Sequence, residues 1–95
     1  SSKGRLIIDN GAVVALTQQN TSLLPPGIME VQGNFKRGDI ITIANSNGSK
    51  VACGIANYSS QDTNKIKGQN SDSIMEALGH EYGDEIIHRN NLAML

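Results

Sequence analysis

The chain has 95 residues, which suits one small domain with a modest buried fraction and leaves little room for a second core. Hydrophobic residues make up 38% and aromatics only 3%, so Ile, Leu, Val and Ala must do the packing, and ten glycines signal many turns, which favours β structure over a helical bundle. Eight Lys and Arg against nine Asp and Glu leave a net charge of −1, without the basic excess of a dedicated nucleic-acid binder.

In chain order, Arg5-Leu6-Ile7-Ile8 is short, apolar and β-branched, and reads as a first strand. Asp9 or Asn10 is placed to cap a helix over Gly11 to Gln18, where Ala12 and Leu16 share a face flanked by Val13 and Ala15. Leu23-Leu24-Pro25-Pro26-Gly27 follows; its prolines forbid a helix interior and push the residues before them toward extended backbone. Ile28 to Gln32 alternates as a strand, with Met29 and Val31 on one face and Ile28, Glu30 and Gln32 on the other. Gly33-Asn34 and Lys36-Arg37-Gly38 bracket Phe35 in a turn-rich stretch.

The strongest local signal is a hairpin, Asp39 to Asn45 and Ser49 to Tyr58 around Asn47-Gly48, a dipeptide suited to a type I′ turn. Alternation puts Ile41 and Ile43 with Val51, Cys53 and Ile55 on one face, and Ala52, Gly54 and Ala56 on the other. Ser59-Ser60 caps a brief helix toward Ile66. A second helix covers Asp72 to Leu78, with Ser73 and Glu76 at capping-box spacing and Gly79 as its stop. Ile86-Ile87-His88 and Leu92 to Leu95 supply closing strands. The pattern is mainly β with short α: five or six short strands and two or three short helices in the connections, a mixed, partly open barrel. Residues 3-95 read as one domain, an excised piece of something longer, with Ser1 and Ser2 as a cloning remnant.

The chemistry-bearing residues are sparse. Neither G-x-x-x-x-G-K-[ST] nor G-x-G-x-x-G occurs, and local spacing forces no pair of carboxylates into one cleft. His80, Asp84 and His88 would share one face of a continuous helix as metal ligands, but Gly79 and Gly83 argue against that helix and favour a solvated acidic turn. Cys53, the only cysteine, excludes an internal disulfide, suits a reducing cytoplasm and reads as a buried structural thiol rather than a nucleophile. No apolar run approaches the ~20 residues of a membrane-spanning helix, and no signal peptide is visible. The sequons at Asn20, Asn47 and Asn57 are then chance occurrences. Two surface readings remain open against plain structural roles: Leu23 to Gly27 as a rigid loop presenting backbone amides, and Lys36-Arg37 with Lys65 and Lys67 as a local cationic surface. His88 beside Arg89 is either a phosphate contact or a hydrogen-bonded strand end.

Asp9-x-Gly11-Ala12-x-x-Ala15-Leu16, Ser22-Leu23-Leu24-Pro25-x-Gly27-Ile28, Gly33-x-Phe35-x-x-Gly38-Asp39 and Ala52-x-Gly54 occur in the order of a PUA domain, which the chain resembles from Gly4 to Leu95. Asn57-Tyr58-Ser59-Ser60 and Ile87-His88-Arg89-x-Asn91-Leu92 resemble the version found at the C-terminus of glutamate 5-kinase; Asn90 departs from the Asp expected in many members. The resemblance implies a PUA-like mixed pseudo-barrel that is no enzyme in itself, with no catalytic, cofactor-binding or metal residue. It implies a bacterial, cytoplasmic parent that phosphorylates glutamate with ATP at the opening of proline biosynthesis. Nucleotide, magnesium and glutamate would belong to an N-terminal amino-acid-kinase domain of the same chain, a homo-oligomer under proline feedback. The module would then serve regulation or assembly. The alternative implied by RNA-modifying relatives is weak RNA binding. The residues singled out for RNA or partner contact are Leu24, Pro25, Pro26, Gly27 and Ile28, with Lys36, Arg37, His88 and Arg89.

Overall fold

The computed structural model describes residues 3–95; Ser1 and Ser2 lie outside the described residues. Strands β1 (Gly4–Ile8), β2 (Ile28–Gly33), β3 (Ile40–Ala44), β4 (Lys50–Ile55) and β5 (Leu92–Met94) form one mixed sheet in the order β2-β1-β3-β4-β5. Only β1 and β3 run parallel; the other neighbours are antiparallel. Helix α1 (Asn10–Gln18) lies in the β1–β2 connection, and α2 (Ser60–Ile66) and α3 (Ile74–Leu78) lie between β4 and β5. The architecture is the expected mainly β, mixed sheet with short helices in its connections.

Each helix has a local cause. Asp9 stays extended and its Oδ1 accepts from the Ala12 amide at 2.8 Å, which starts α1. Ser59 does the same for α2 through the Asp62 amide. The stretch toward α3 departs from expectation, because Asn70 rather than Ser73 supplies the side-chain cap, to a short 3-10 turn at Ser71–Ser73 that leads into the helix. Gly79 ends α3 in the left-handed conformation, its amide returned to the Met75 carbonyl.

The core lies between the sheet and its connections: Leu6 and Ile8 from β1, Ile41 and Ile43 from β3, with Phe35, Tyr58, Ile66, Ile86 and Ile87, all buried. Phe35 explains its glycine-flanked turn. Its ring lies so close to Gly4 that a Cβ there would sit 2.6 Å from the ring carbon. The Phe35 amide donates to Ser60 Oγ and its carbonyl accepts from the Ser60 amide, so a buried turn is tied to the start of α2.

Two expectations about sidedness fail, one through a bulge in β2 and one through the cross-strand register of the hairpin. In β2 the register skips Met29, since Ile7 pairs with Glu30 and Ile8 with Ile28. This bulge turns Ile28 and Val31 to the same face as Leu6 and Ile8 and leaves Met29 exposed. In the hairpin, Ile41 faces Gly54 and Ile43 faces Ala52, so the small residues line the core while Cys53 and Ile55 lie on the outer face. Val51, skipped where the register shifts between Ile43 and Ala44, is partly buried and packs against the core. Cys53 is half-buried there rather than enclosed. The turn itself is not type I′: Gly48 has φ 84°, Asn47 does not have a positive φ, and Asn45 Oδ1 accepts from the Asn47 and Ser49 amides. Ile86-Ile87-His88 is no strand but makes an isolated bridge through Leu23↔Ile87.

Gly54 shows how closely the last segment packs on β4. A Cβ at this position would lie 2.7 Å from the Asn91 carbonyl oxygen and 2.9 Å from Ile87 Cγ2, and the backbone oxygen cannot swing aside. Gly54→Ala is therefore expected to destabilise the fold by about 1–3 kcal/mol, the usual cost of overpacking. Urea denaturation of native and variant protein checks this, and equal midpoints would refute the close approach.

Candidate functional site

The sequence places its rigid loop next to α1, and the structure makes a cavity between them. Leu24 is extended before the proline, and Pro25, Pro26 and Gly27 form one 3-10 turn. Pro25 is buried and its carbonyl accepts from the Gly68 amide at 2.7 Å, which anchors the turn on the end of α2. The Gly27 carbonyl accepts from the Asp9 amide at 3.0 Å. A Cβ on Gly27 would lie 2.6 Å from Ala12 Cβ, so glycine and alanine together allow loop and helix to touch.

The resulting cavity of about 420 Å³ is walled by Ala12, Ala15 and Leu16 of α1 and by Leu24, Pro26 and Gly27 of the loop. Its surface is mainly apolar, and the polar side chains in its lining are Asp9, Thr21 and Ser22. Asp9 contributes its carboxylate, and Thr21 contributes a buried hydroxyl oxygen with no hydrogen-bond partner among the described residues. Such a site offers an apolar slot with oxygen groups at its wall, and it holds no cationic side chain. Sequence reasoning missed Thr21 and the wall role of Ala12 and Ala15; two small residues three apart on a helix facing a proline-rich loop were the available signal.

Of the residues singled out from sequence, Leu24, Pro26 and Gly27 line this cavity, while Pro25 and Ile28 are buried beneath it in the fold. Arg89 comes near, since its amide donates to the hydroxyl of Ser22, a lining residue, at 2.8 Å. His88 acts within its own turn, where its Nδ1 accepts from the Asn90 amide at 3.1 Å and starts a short 3-10 segment. Lys36 and Arg37 are elsewhere and do not line the cavity. The Lys36 amide caps onto Asp39, and the Arg37 guanidinium stacks 3.9 Å from the Tyr82 ring centre while Nε donates to Asn57 Oδ1. Lys36 and Arg37 are thus separate from the loop, whereas Lys65 and Lys67 lie at the end of α2, where the Gly68 amide meets the Pro25 carbonyl.

His80, Asp84 and His88 also separate. His80 Nε2 lies 2.8 Å from Asp62 Oδ2 on α2, and its ring packs on Tyr82. Among the described residues no three His, Cys, Asp or Glu side chains are grouped to hold a metal ion. Tyr58 organises this region. Its hydroxyl donates to the Gly83 carbonyl and accepts from the Tyr82 amide, and Asn57 Nδ2 donates to the Tyr82 and Glu85 carbonyls. Burial pushes the Tyr58 hydroxyl above its ordinary pKa, the Tyr82 amide opposes this, and the charges of Glu81 and Asp84 add to the rise.

Comparison with known proteins agrees with this geometry. The PUA domain family matches residues 4–78. The glutamate 5-kinase of Shewanella halifaxensis is 45% identical over 94 residues, 99% of this chain and 25% of that protein. The chain therefore spans about a quarter of the length of the curated relatives it matches. Among solved structures, a PUA domain from Aeropyrum pernix in complex with tartrate superposes with a TM-score of 0.66 at 25% identity, covering 90% of this chain and 41% of that one. An H/ACA ribonucleoprotein bound to a substrate RNA gives 0.61 at 27% identity over 90% of this chain and 22% of that one.

The Tyr58 arrangement makes a pH prediction. A hydroxyl whose folded pKa is raised stabilises the fold fully below the unfolded value near 10, and that stability is lost as pH rises through the folded value. Native protein is expected to lose stability above pH ~10, whereas Tyr58→Phe is expected to be about 1–3 kcal/mol less stable at neutral pH, with a flatter alkaline slope. Denaturant titrations at pH 7, 9 and 10.5 test both, and parallel slopes would contradict the burial effect.

Proposed function

Because the chain belongs to the PUA domain family, we propose that it is the non-catalytic C-terminal module of a glutamate 5-kinase, acting in regulation or assembly of that enzyme. One observation carries this reading: 45% identity runs along 99% of the chain, yet the match accounts for only 25% of the kinase. The remaining length of such a protein has room for the amino-acid-kinase domain that transfers the γ-phosphoryl group of ATP to glutamate. Magnesium and ATP do not fit this chain's own residues, which offer neither a phosphate loop nor, among those described, a grouped donor set for a metal. No step of the phosphoryl transfer is assigned to them. Among the described residues no helix is long and apolar enough to cross a membrane. A cytoplasmic homo-oligomer under proline feedback is the setting we propose for the parent.

A second reading is supported by the cavity between α1 and the Leu24–Gly27 loop, together with the similarity to a domain of an RNA-bound H/ACA assembly. An apolar slot with a carboxylate and a hydroxyl suits a base better than a phosphate. With a net charge of −1 and Arg37 committed to Tyr82, phosphate contacts would be few, so attachment would be weak and would fade with salt.

Two measurements separate the readings. The full-length polypeptide is expected to consume ATP in the presence of glutamate, and removal of residues 3–95 is expected to alter its oligomeric state or its proline response while phosphoryl transfer persists. Unchanged assembly and unchanged proline inhibition after that deletion would defeat the regulatory role. Structured RNA titrated at low salt should bind weakly if the cavity is used, and absence of binding at the lowest salt removes the RNA reading.

A further inference from the structure

We propose that the outer face of β3, β4 and β5 is the surface on which the kinase part of the same polypeptide docks; this rests on the functional reading above. Ile40 and Ile55 are cross-strand partners on that face, and they remain 54% and 42% exposed. Beside them Cys53 stands in register with Ala93 of β5. A shallow groove of about 320 Å³ joins Ile40, Cys53, Ile55 and Ala93 to the exposed Asn90 and Asn91.

Charge identifies the kind of occupant. None of the residues lining this groove is charged, and no charge occurs from Asn90 to Leu95 along the edge strand β5. Edge strands left to solvent are usually guarded by charge or proline, and this one has neither. Within this groove a phosphate backbone would find no cation; Lys3, Arg5 and Lys50 gather instead on the neighbouring groove around Thr42, toward β1 and β2. A protein surface fits, because the centre of a protein interface is apolar and depleted of charge, with polar groups at its rim such as the two asparagines provide. The protein at hand is the rest of the chain: relatives of this length-matched segment are four times longer, so three quarters of such a polypeptide is available to cover the face.

Cys53 provides the probe, being the only cysteine of this segment and lying within the groove. In the full-length polypeptide, a short N-ethylmaleimide pulse followed by mass spectrometry of the Cys53 peptide measures its accessibility. The native protein is expected to react about tenfold more slowly than Ile40→Lys or Ile55→Lys, since protection tracks the open population of the contact. Met29→Lys, at an equally exposed apolar position on the opposite edge strand β2, is expected to keep the native rate. Equal rates in native, Ile40→Lys and Ile55→Lys proteins, whether fast or slow, overturn the proposal, and so does exposure of Cys53 in Met29→Lys. Protection that disappears on dilution of the native protein assigns the face to a second copy and overturns it too. A preparation without glutamate-dependent ATP consumption defeats the functional reading itself, whereas an active kinase with freely reactive Cys53 defeats the docking face alone.

Discussion

The pairing of Leu23 with Ile86 and Ile87 is the constraint on which the rest of the structure depends. The Leu23 amide donates to the Ile87 carbonyl at 2.9 Å, and the Ile86 amide donates to the Leu23 carbonyl at 2.8 Å. All three side chains are buried, so these backbone groups have no access to water and must find each other. On its other side the Ile86 carbonyl accepts from the Asn57 amide. A segment that lacks strand length is thereby fixed between the N-terminal loop and the end of β4. The chain leaving it delivers Arg89 to Ser22 and β5 to β4, which defines both the cavity region and the outer sheet face.

Those two surfaces have different chemistry. The cavity is apolar with a carboxylate and an unpartnered hydroxyl, and the outer face is apolar with amides at its rim. Neither uses the basic residues that the sequence makes most conspicuous. Arg37 stacks on Tyr82 and holds Asn57, and Lys67 bonds to Asn64, so part of a small cationic complement goes into holding loops. A domain with this distribution presents shape and apolar area at both surfaces.

Much of the architecture was legible from local signals. Asp9 and Ser59 as caps, Gly79 as a stop, and the existence of strands at Arg5 to Ile8 and around Asn47-Gly48 all depend on interactions within a few residues, which sequence displays directly. Sidedness was not legible. Alternation assumes that every residue pairs, and the skipped Met29 in β2 reverses the faces beyond it. In β4 the larger residues were expected inside, yet Ala52 and Gly54 face the core because Ile87, Asn91 and Leu92 arrive within contact distance of Gly54 from more than thirty positions away. The cavity was half legible: its loop was marked by prolines, while Thr21 and the alanine wall needed the helix placed against that loop.

By itself the sequence determined the class of fold, the starts of α1 and α2 at the Asp9 and Ser59 caps, the stop of α3 at Gly79 and the position of the proline turn. Tertiary structure alone decided which face of each strand points inward, that Arg37 and the proline loop belong to different places, that His80 turns to Asp62, and that Cys53 lies in an uncharged groove. The division has a physical origin. Caps and turns are bonds between near neighbours, whereas a strand's sidedness and a surface's composition depend on which distant segments compete for the same volume, and that competition is resolved only when the whole chain packs.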